Sequence, residues 1–133
     1  MGTDIHLSIE YKEEPAGLWY AFGADIYMPR DYRLFGLLAG VRDPVHSLFP
    51  VRGIPGDISW EVDDKYYSSD GEHKVVDPDW HTPSWLSREE WVTVLAQDFK
   101  DVPVQYRAVS DVMRRFENES YSYITRVVFW FDN

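Results

Sequence analysis

Hydrophobic and polar residues alternate along residues 4–11. The odd positions from Ile5 to Tyr11 are apolar, and the even positions from Asp4 to Glu10 are polar. Because successive side chains of a β-strand point to opposite faces, this pattern predicts a strand with one buried face. On the polar face Asp4 and His6 would lie side by side, held steady by the packing of the other face. The alternative is that this polar face is simply solvated.

Two further elements are predicted in the first third of the chain. Turn-forming residues at 13–17 separate the first strand from an aromatic run at 18–22, which predicts a hairpin. Asp31 can cap a helix that would end near residues 43–44. The apolar stripe of this helix has helical spacing and consists of Leu34, Leu37, Leu38 and Val41. One side of the helix is therefore expected to face the core.

The last third of the chain predicts two helices and a strand. Ser87 and Glu90 have the spacing of a capping box, which indicates the start of a helix. Apolar residues at helical spacing between 109 and 116 predict a second helix. The closing run at 121–131 is β-branched and aromatic on both faces, as in a central strand.

These elements predict an α+β fold. Its antiparallel sheet would form from the N-terminal hairpin and the C-terminal strand, and about three helices would pack against it. The first strand is expected to pair with the last.

Residues 44–83 show no regular periodicity and are rich in Pro, Gly, Asp and Ser. Irregular segments of this length are uncommon in compact domains, and they tend to carry function or contain short elements. Residues 59–62 could form one such short strand. Trp60 and Trp80 are among the aromatic residues that argue against disorder. We therefore expect a long, irregular central segment.

Composition limits the kind of protein this can be. A chain of 133 residues fits a single domain (1–133), and its 44% hydrophobic and 17% aromatic residues can fill a core. The absence of cysteine excludes disulfides and thiolate metal sites, which leaves His and carboxylate ligands. No apolar run approaches the roughly 18 residues of a membrane helix, and a signal-peptide pattern is absent. We therefore expect a cytoplasmic protein that does not bind membranes.

The charge balance disfavours direct binding of nucleic acid. The chain has 13 Lys and Arg against 23 Asp and Glu, a net charge of −10 that would repel a phosphate backbone. Such a surface suits a protein partner with a basic surface, including a nucleic-acid-binding groove where carboxylates take the place of phosphates. The alternative is that the acidity keeps an aromatic-rich protein soluble.

Asp4 and His6 could join His81, and also Asp79, in a metal site. Zn²⁺ accepts imidazole nitrogen and carboxylate oxygen in tetrahedral sites. Such a site would clamp the central segment to the first strand, so that metal binding contributes to folding. The alternative is that these histidines are hydrogen-bonded structural groups, since their spacing lacks a compact metal motif.

Arginine and tryptophan side chains are the candidates for binding a ligand or partner. Arg30, Arg42 and Arg52 flank the first predicted helix and could grip a phosphate or carboxylate by paired hydrogen bonds. The alternative is ordinary salt bridging to nearby acids. Trp80 and Trp85 could line a stacking surface, or they could hold the central segment against the core. Catalytic residues stay unknown, because cysteine is absent and no serine lies in a Gly-x-Ser-x-Gly elbow.

Four short pieces of the sequence, in this order, resemble an uncharacterised family of small proteins found in bacteriophages and bacterial genomes. They are residues 2–6, 30–42, 52–57 and 81–86. In that family the fourth piece often has a second His where this chain has Pro83, and an Asp where this chain has Trp80. The family has no established activity, so the resemblance implies a phage or mobile-element setting.

Two functions are compatible with these features. The leading hypothesis is a phage-type accessory or inhibitor protein that binds and occludes a host protein, for example a nucleic-acid-handling defence protein, through an acidic surface. A metal would then be structural. The alternative is a metal-dependent hydrolase of a phosphate ester or nucleotide, with Asp4, His6 and His81 holding the ion and Arg42 or Arg52 stabilising phosphoryl charge. An enzyme needs these groups to converge on a pocket, whereas an inhibitor needs only a surface.

Overall fold

The computed structural model describes residues 2–14, 16–43, 47–97, 101–119 and 123–133. Along these ranges the elements are β1 (Asp4–Glu13), β2 (Tyr20–Phe22), α1 (Tyr32–Ala39), α2 (Trp60–Tyr66), β3 (Ser68–Ser69), β4 (Lys74–Val75), β5 (Trp80–Ser87), α3 (Arg88–Ala96), α4 (Val104–Glu119) and β6 (Tyr123–Asp132). The predicted α+β class is confirmed. None of the helices within these ranges combines the length and apolar character needed to cross a membrane.

The main sheet is antiparallel and has the strand order β2-β1-β6-β5. β1 pairs with β6 along its whole length, from Asp4 opposite Asp132 to Glu13 opposite Tyr123. The predicted pairing of the first and last strands is therefore confirmed. β6 lies in the middle of the sheet, and all five side chains from Val127 to Phe131 have 0% exposure, which explains why this run is apolar on both faces.

One face of the sheet, which we term the helical face, packs against α1, α3 and α4. Ile5, Leu7 and Ile9 of β1 meet the helices on this face, as their alternation predicts. Trp91 of α3 is fully buried, and its Nε1 donates to the backbone oxygen of Tyr106 in α4 at 3.1 Å. This contact joins two of the helices within the main core.

The opposite face of the sheet, which we term the α2 face, is also covered. Val62 and Tyr66 of α2 lie four residues apart, on one side of the helix, and pack against Val128 and Trp130 of β6. The strand predicted at residues 59–62 is wrong, because the Ser59 side chain accepts a hydrogen bond from the Val62 amide and begins a helix. The irregular central segment thus contains α2, β3, β4 and the first half of β5.

The predicted helix starts are confirmed. The Asp31 side chain accepts from the Leu34 amide at 3.1 Å, and Ser87 and Glu90 form the expected capping box. α1 ends earlier than predicted, because Gly40 adopts a left-handed conformation (φ 69°) that closes the helix. Three parts of the predictions lie outside the described residues: Pro15 of the hairpin turn, Pro44 at the predicted helix end, and residues 121–122 of the closing strand.

Candidate functional site

The sheet separates the histidines of the predicted metal site. His6 is paired with Trp130 and stacks on it at a ring distance of 5.6 Å, on the α2 face. His81 is paired with Phe131, with a ring distance of 6.2 Å, on the helical face. Because Trp130 and Phe131 are consecutive residues of one strand, their side chains point in opposite directions. The structure therefore does not bring His81 to Asp4 and His6.

The predicted ligands have other partners. Asp4 accepts two hydrogen bonds from the Arg30 guanidinium, at 2.7 and 3.3 Å. Asp79 is exposed, and its backbone oxygen accepts from the Asn133 amide at 3.1 Å. Across the described ranges, no group of three or more His, Asp or Glu side chains could hold a metal ion. Zinc stays a prediction, which metal analysis of the purified protein would test.

His6 instead lies between two carboxylates. Its Nδ1 is 3.1 Å from Asp25, and its Nε2 is 3.1 Å from Asp132. A neutral imidazole has one N–H, so contacts with a carboxylate at both nitrogens favour the doubly protonated ring. The hydrogen bond to Asp25 raises the pKa of His6, with a further contribution from Asp132, although burial opposes the shift. Lys65 of α2 also contacts Asp25, at 3.0 Å.

An NMR titration of His6 is expected to give a midpoint above 6.5, the ordinary pKa of a histidine side chain. Because the folded-state pKa is raised, protonated His6 stabilises the fold fully below pH 6.5, and this stabilisation is lost as the pH rises through the raised pKa. The stability difference between the wild type and His6→Gln should therefore shrink at alkaline pH. Asp25→Asn removes one of the two carboxylates that contact His6 and should lower the midpoint of the His6 titration. A wild-type midpoint at or below 6.5 would contradict the charged arrangement.

Arg52 is engaged in structural contacts. Its guanidinium donates to both carboxylate oxygens of Glu90, at 2.7 and 2.5 Å, and lies 4.6 Å from the Trp85 ring. Hydrogen bonding from Arg52 lowers the pKa of Glu90 to about 2. The backbone amide of Arg52 also donates to the Ser84 hydroxyl at 3.0 Å. These contacts join the central segment to β5 and to the start of α3.

Arg30 and Arg42, in contrast, come together beside Tyr32. The Arg42 guanidinium lies 4.9 Å over the Tyr32 ring, and the Tyr32 hydroxyl accepts from the Thr3 amide at 3.1 Å. The hydrogen bond from Thr3 is the largest factor that lowers the pKa of Tyr32, and the charges of Arg42 and Arg30 lower it further. The predicted cluster of three arginines is thus reduced to two, because Arg52 shares none of these contacts.

Arg42 borders a cavity of about 550 Å³ that we term the N-terminal cavity. Three of the four sequence pieces described above meet there: residues 2–3 from the first, residues 40–42 from the second and residues 81–82 from the fourth. Asn133 completes the lining. His81 therefore contributes to this cavity instead of to a site with His6.

Trp80 and Trp85 pack on the α2 face. The Trp80 ring lies 4.9 Å from His6, 5.3 Å from Trp130 and 6.0 Å from Tyr66. Both tryptophans are partly buried against the smaller core on this face. Trp60, at the start of α2, differs from them, because its side chain is 69% exposed. Sequence reasoning noted its aromaticity but could not place it at the surface.

A buried ion pair on the α2 face was missed. Glu10 of β1 has 0% exposure, and its carboxylate accepts from the Arg126 Nε of β6 at 2.6 Å. The one signal in the sequence was Arg126 itself, the single charged residue of the run 121–131. Such a residue in a twice-buried strand requires a buried partner, and the opposing strand supplies it.

These features define an α+β protein whose antiparallel sheet is covered on both faces and has a polar cavity at one end of the β1–β6 pair. Comparisons with protein-family models, curated proteins and solved structures find no match to this chain.

Proposed function

We propose that the chain is a phage-type accessory protein that binds and occludes a host protein through an acidic surface. The observation that carries this proposal is the uneven distribution of charge. Residues 57–79 contain eight acidic residues and two lysines, a net charge of −6 out of −10 for the whole chain. These residues include α2, β3 and β4, so the excess negative charge is concentrated on one side of the sheet.

The outer residues of this layer form what we term the acidic face. It consists of the exposed residues Trp60, Asp64, Asp70, Glu72, Asp77 and Asp79. The two lysines of the layer are already paired, Lys65 with Asp25 at 3.0 Å and Lys74 with Asp63 at 2.9 Å. The acidic face can therefore attract a basic surface over several ångströms and accelerate the encounter with it.

Trp60 supplies the apolar contact that charge alone lacks. Exposed tryptophans are frequent anchors of protein interfaces, where they bury a large area in a pocket of the partner. A basic groove with an apolar pocket matches this combination, and grooves that handle nucleic acid have that character. The hydrolase alternative lacks comparable support, because its three metal ligands do not converge. The setting we propose is the cytoplasm of a bacterial host.

Trp60→Ala is expected to weaken partner binding at least tenfold, because interface anchors contribute about 2 kcal/mol or more. The partner would first be captured from a bacterial lysate and then purified, so that the dissociation constant can be measured directly. Asp64→Asn/Glu72→Gln should slow association and reduce its salt dependence. Glu13→Gln/Glu14→Gln removes the same charge outside the acidic face and serves as the matched control. Equal effects in both double variants, or binding insensitive to salt, would contradict the proposal.

A further inference from the structure

Backbone strain converges on the N-terminal cavity. Arg42 (φ 65°) and Thr82 (φ 54°) are the two residues other than glycine that have positive φ within the described ranges, and both line this cavity. Thr82 is doubly disfavoured there, because it is β-branched and precedes Pro83. Such conformations persist where the surrounding structure enforces them, and they concentrate at ligand-binding sites.

A series of hydrogen bonds holds the wall of the cavity in place. Arg42 Nε donates to Thr3 Oγ1 at 3.0 Å, and the Thr3 hydroxyl donates to Asn133 Oδ1 at 3.0 Å. His81 Nε2 lies 3.0 Å from the same Asn133 oxygen, and His81 Nδ1 lies 2.8 Å from Thr82 Oγ1. If the neutral His81 ring carries its proton on Nε2, that N–H donates to Asn133 Oδ1 and Nδ1 accepts from the Thr82 hydroxyl. Every donor in the series then has an acceptor. The side chains are thus oriented before any ligand arrives.

The chemistry of the lining favours an anion. Arg42 supplies a guanidinium to the cavity, and the side chains of Thr3, His81, Thr82 and Asn133 supply neutral polar groups. A guanidinium presents N–H groups in a planar fork that matches the oxygens of phosphate and carboxylate. The volume of about 550 Å³ exceeds that of a single oxyanion and lies within the range of sites for small organic molecules.

We propose that the N-terminal cavity binds the oxyanion group of a small organic molecule, with Arg42 as the charged donor and His81 and Thr82 as further lining residues. The lining shares no residue with the acidic face, although the two adjoin where the Asn133 amide donates to the backbone oxygen of Asp79. Binding of the small molecule would not require a protein partner. Arg30 is a neighbour of the site, since its guanidinium occupies the space that a Cβ at Gly2 would need.

Calorimetric titration with three probes at constant ionic strength tests the proposal. The probes are inorganic phosphate, adenosine monophosphate and succinate, so that a phosphate ligand is distinguished from a carboxylate ligand. The wild type should bind at least one organic probe saturably. Arg42→Gln keeps a donor that can reach Thr3 but removes the charge, and it should weaken binding about tenfold or more. Arg114→Gln, an exposed residue of α4 outside the cavity, is the matched charge control and should bind as the wild type does.

NMR on the wild-type chain tests the site without relying on a variant. The bound probe should shift the ring signals of His81, and it should leave those of His73, an exposed residue before β4, unchanged. Three results would overturn the proposal: no saturable binding of any probe at millimolar concentration, equal weakening by Arg42→Gln and Arg114→Gln, or equal shifts of both histidines. None of these results would bear on partner binding through Trp60, so the two proposals fail separately.

Discussion

Arg126→Met is expected to lower the free energy of unfolding by about 3–5 kcal/mol, because it leaves the Glu10 carboxylate buried without its counter-charge. Glu10 is fully buried, and Arg126 is 5% exposed. Removing one partner of such a pair costs far more than the pair itself contributes, since the remaining charge has lost both water and its ion partner.

The position of this pair enlarges the expected effect. The second oxygen of Glu10 accepts from the Ser59 amide at 2.7 Å, at the start of α2. Arg126 Nη1 donates to Asp57 at 2.9 Å, and its guanidinium lies 3.9 Å from the Trp19 ring. The pair thus joins the two central strands to the layer that covers the α2 face, and its loss should loosen that layer.

Urea denaturation of the single and double variants measures the effect. Glu10→Gln/Arg126→Met replaces both charges and should recover much of the lost stability, which would appear as a favourable coupling in the double-mutant cycle. A loss below about 1 kcal/mol for Arg126→Met, the range of exposed salt bridges, would contradict burial of the pair.

Trp91→Ala is expected to lower the free energy of unfolding by about 3–5 kcal/mol, because it opens a cavity in the main core and removes the hydrogen bond to Tyr106. Trp60→Ala is the same chemical change at a side chain that is 69% exposed, and it should change stability by no more than about 0.5 kcal/mol. Thermal and urea unfolding of the two variants would make the comparison. Similar losses for both would show that the assigned burial is incorrect.

The Trp60→Ala result also supports the functional test. A variant that keeps its stability but loses partner binding separates the acidic face from the core. This separation cannot be made with Trp80 or Trp85, since both pack on the α2 face and their replacement would alter the fold.

Local patterns in the sequence were sufficient for most of the main sheet and three of the helices. The alternation along β1 depends only on residues two positions apart. The capping box of α3 depends only on Ser87 and Glu90, so both patterns can be recognised in the sequence alone. β5 and α2 were not predicted. β5 contains Pro83 and a register irregularity between His81 and Ser84, which obscure a two-residue period. α2 spans seven residues, too few for a helical period to emerge.

Sequence by itself determined the α+β class, the pairing of the first and last strands, and the shared face of Asp4 and His6. Only the tertiary structure decided what covers that face and which partners its polar side chains have. His6 contacts Asp25 and Asp132 there, and Glu10 pairs with Arg126. It also placed His81 on the opposite side of the sheet, beside Arg42. The physical reason is that backbone periodicity is set by neighbouring residues, whereas the partner of a polar side chain is set by strand register and packing between distant segments.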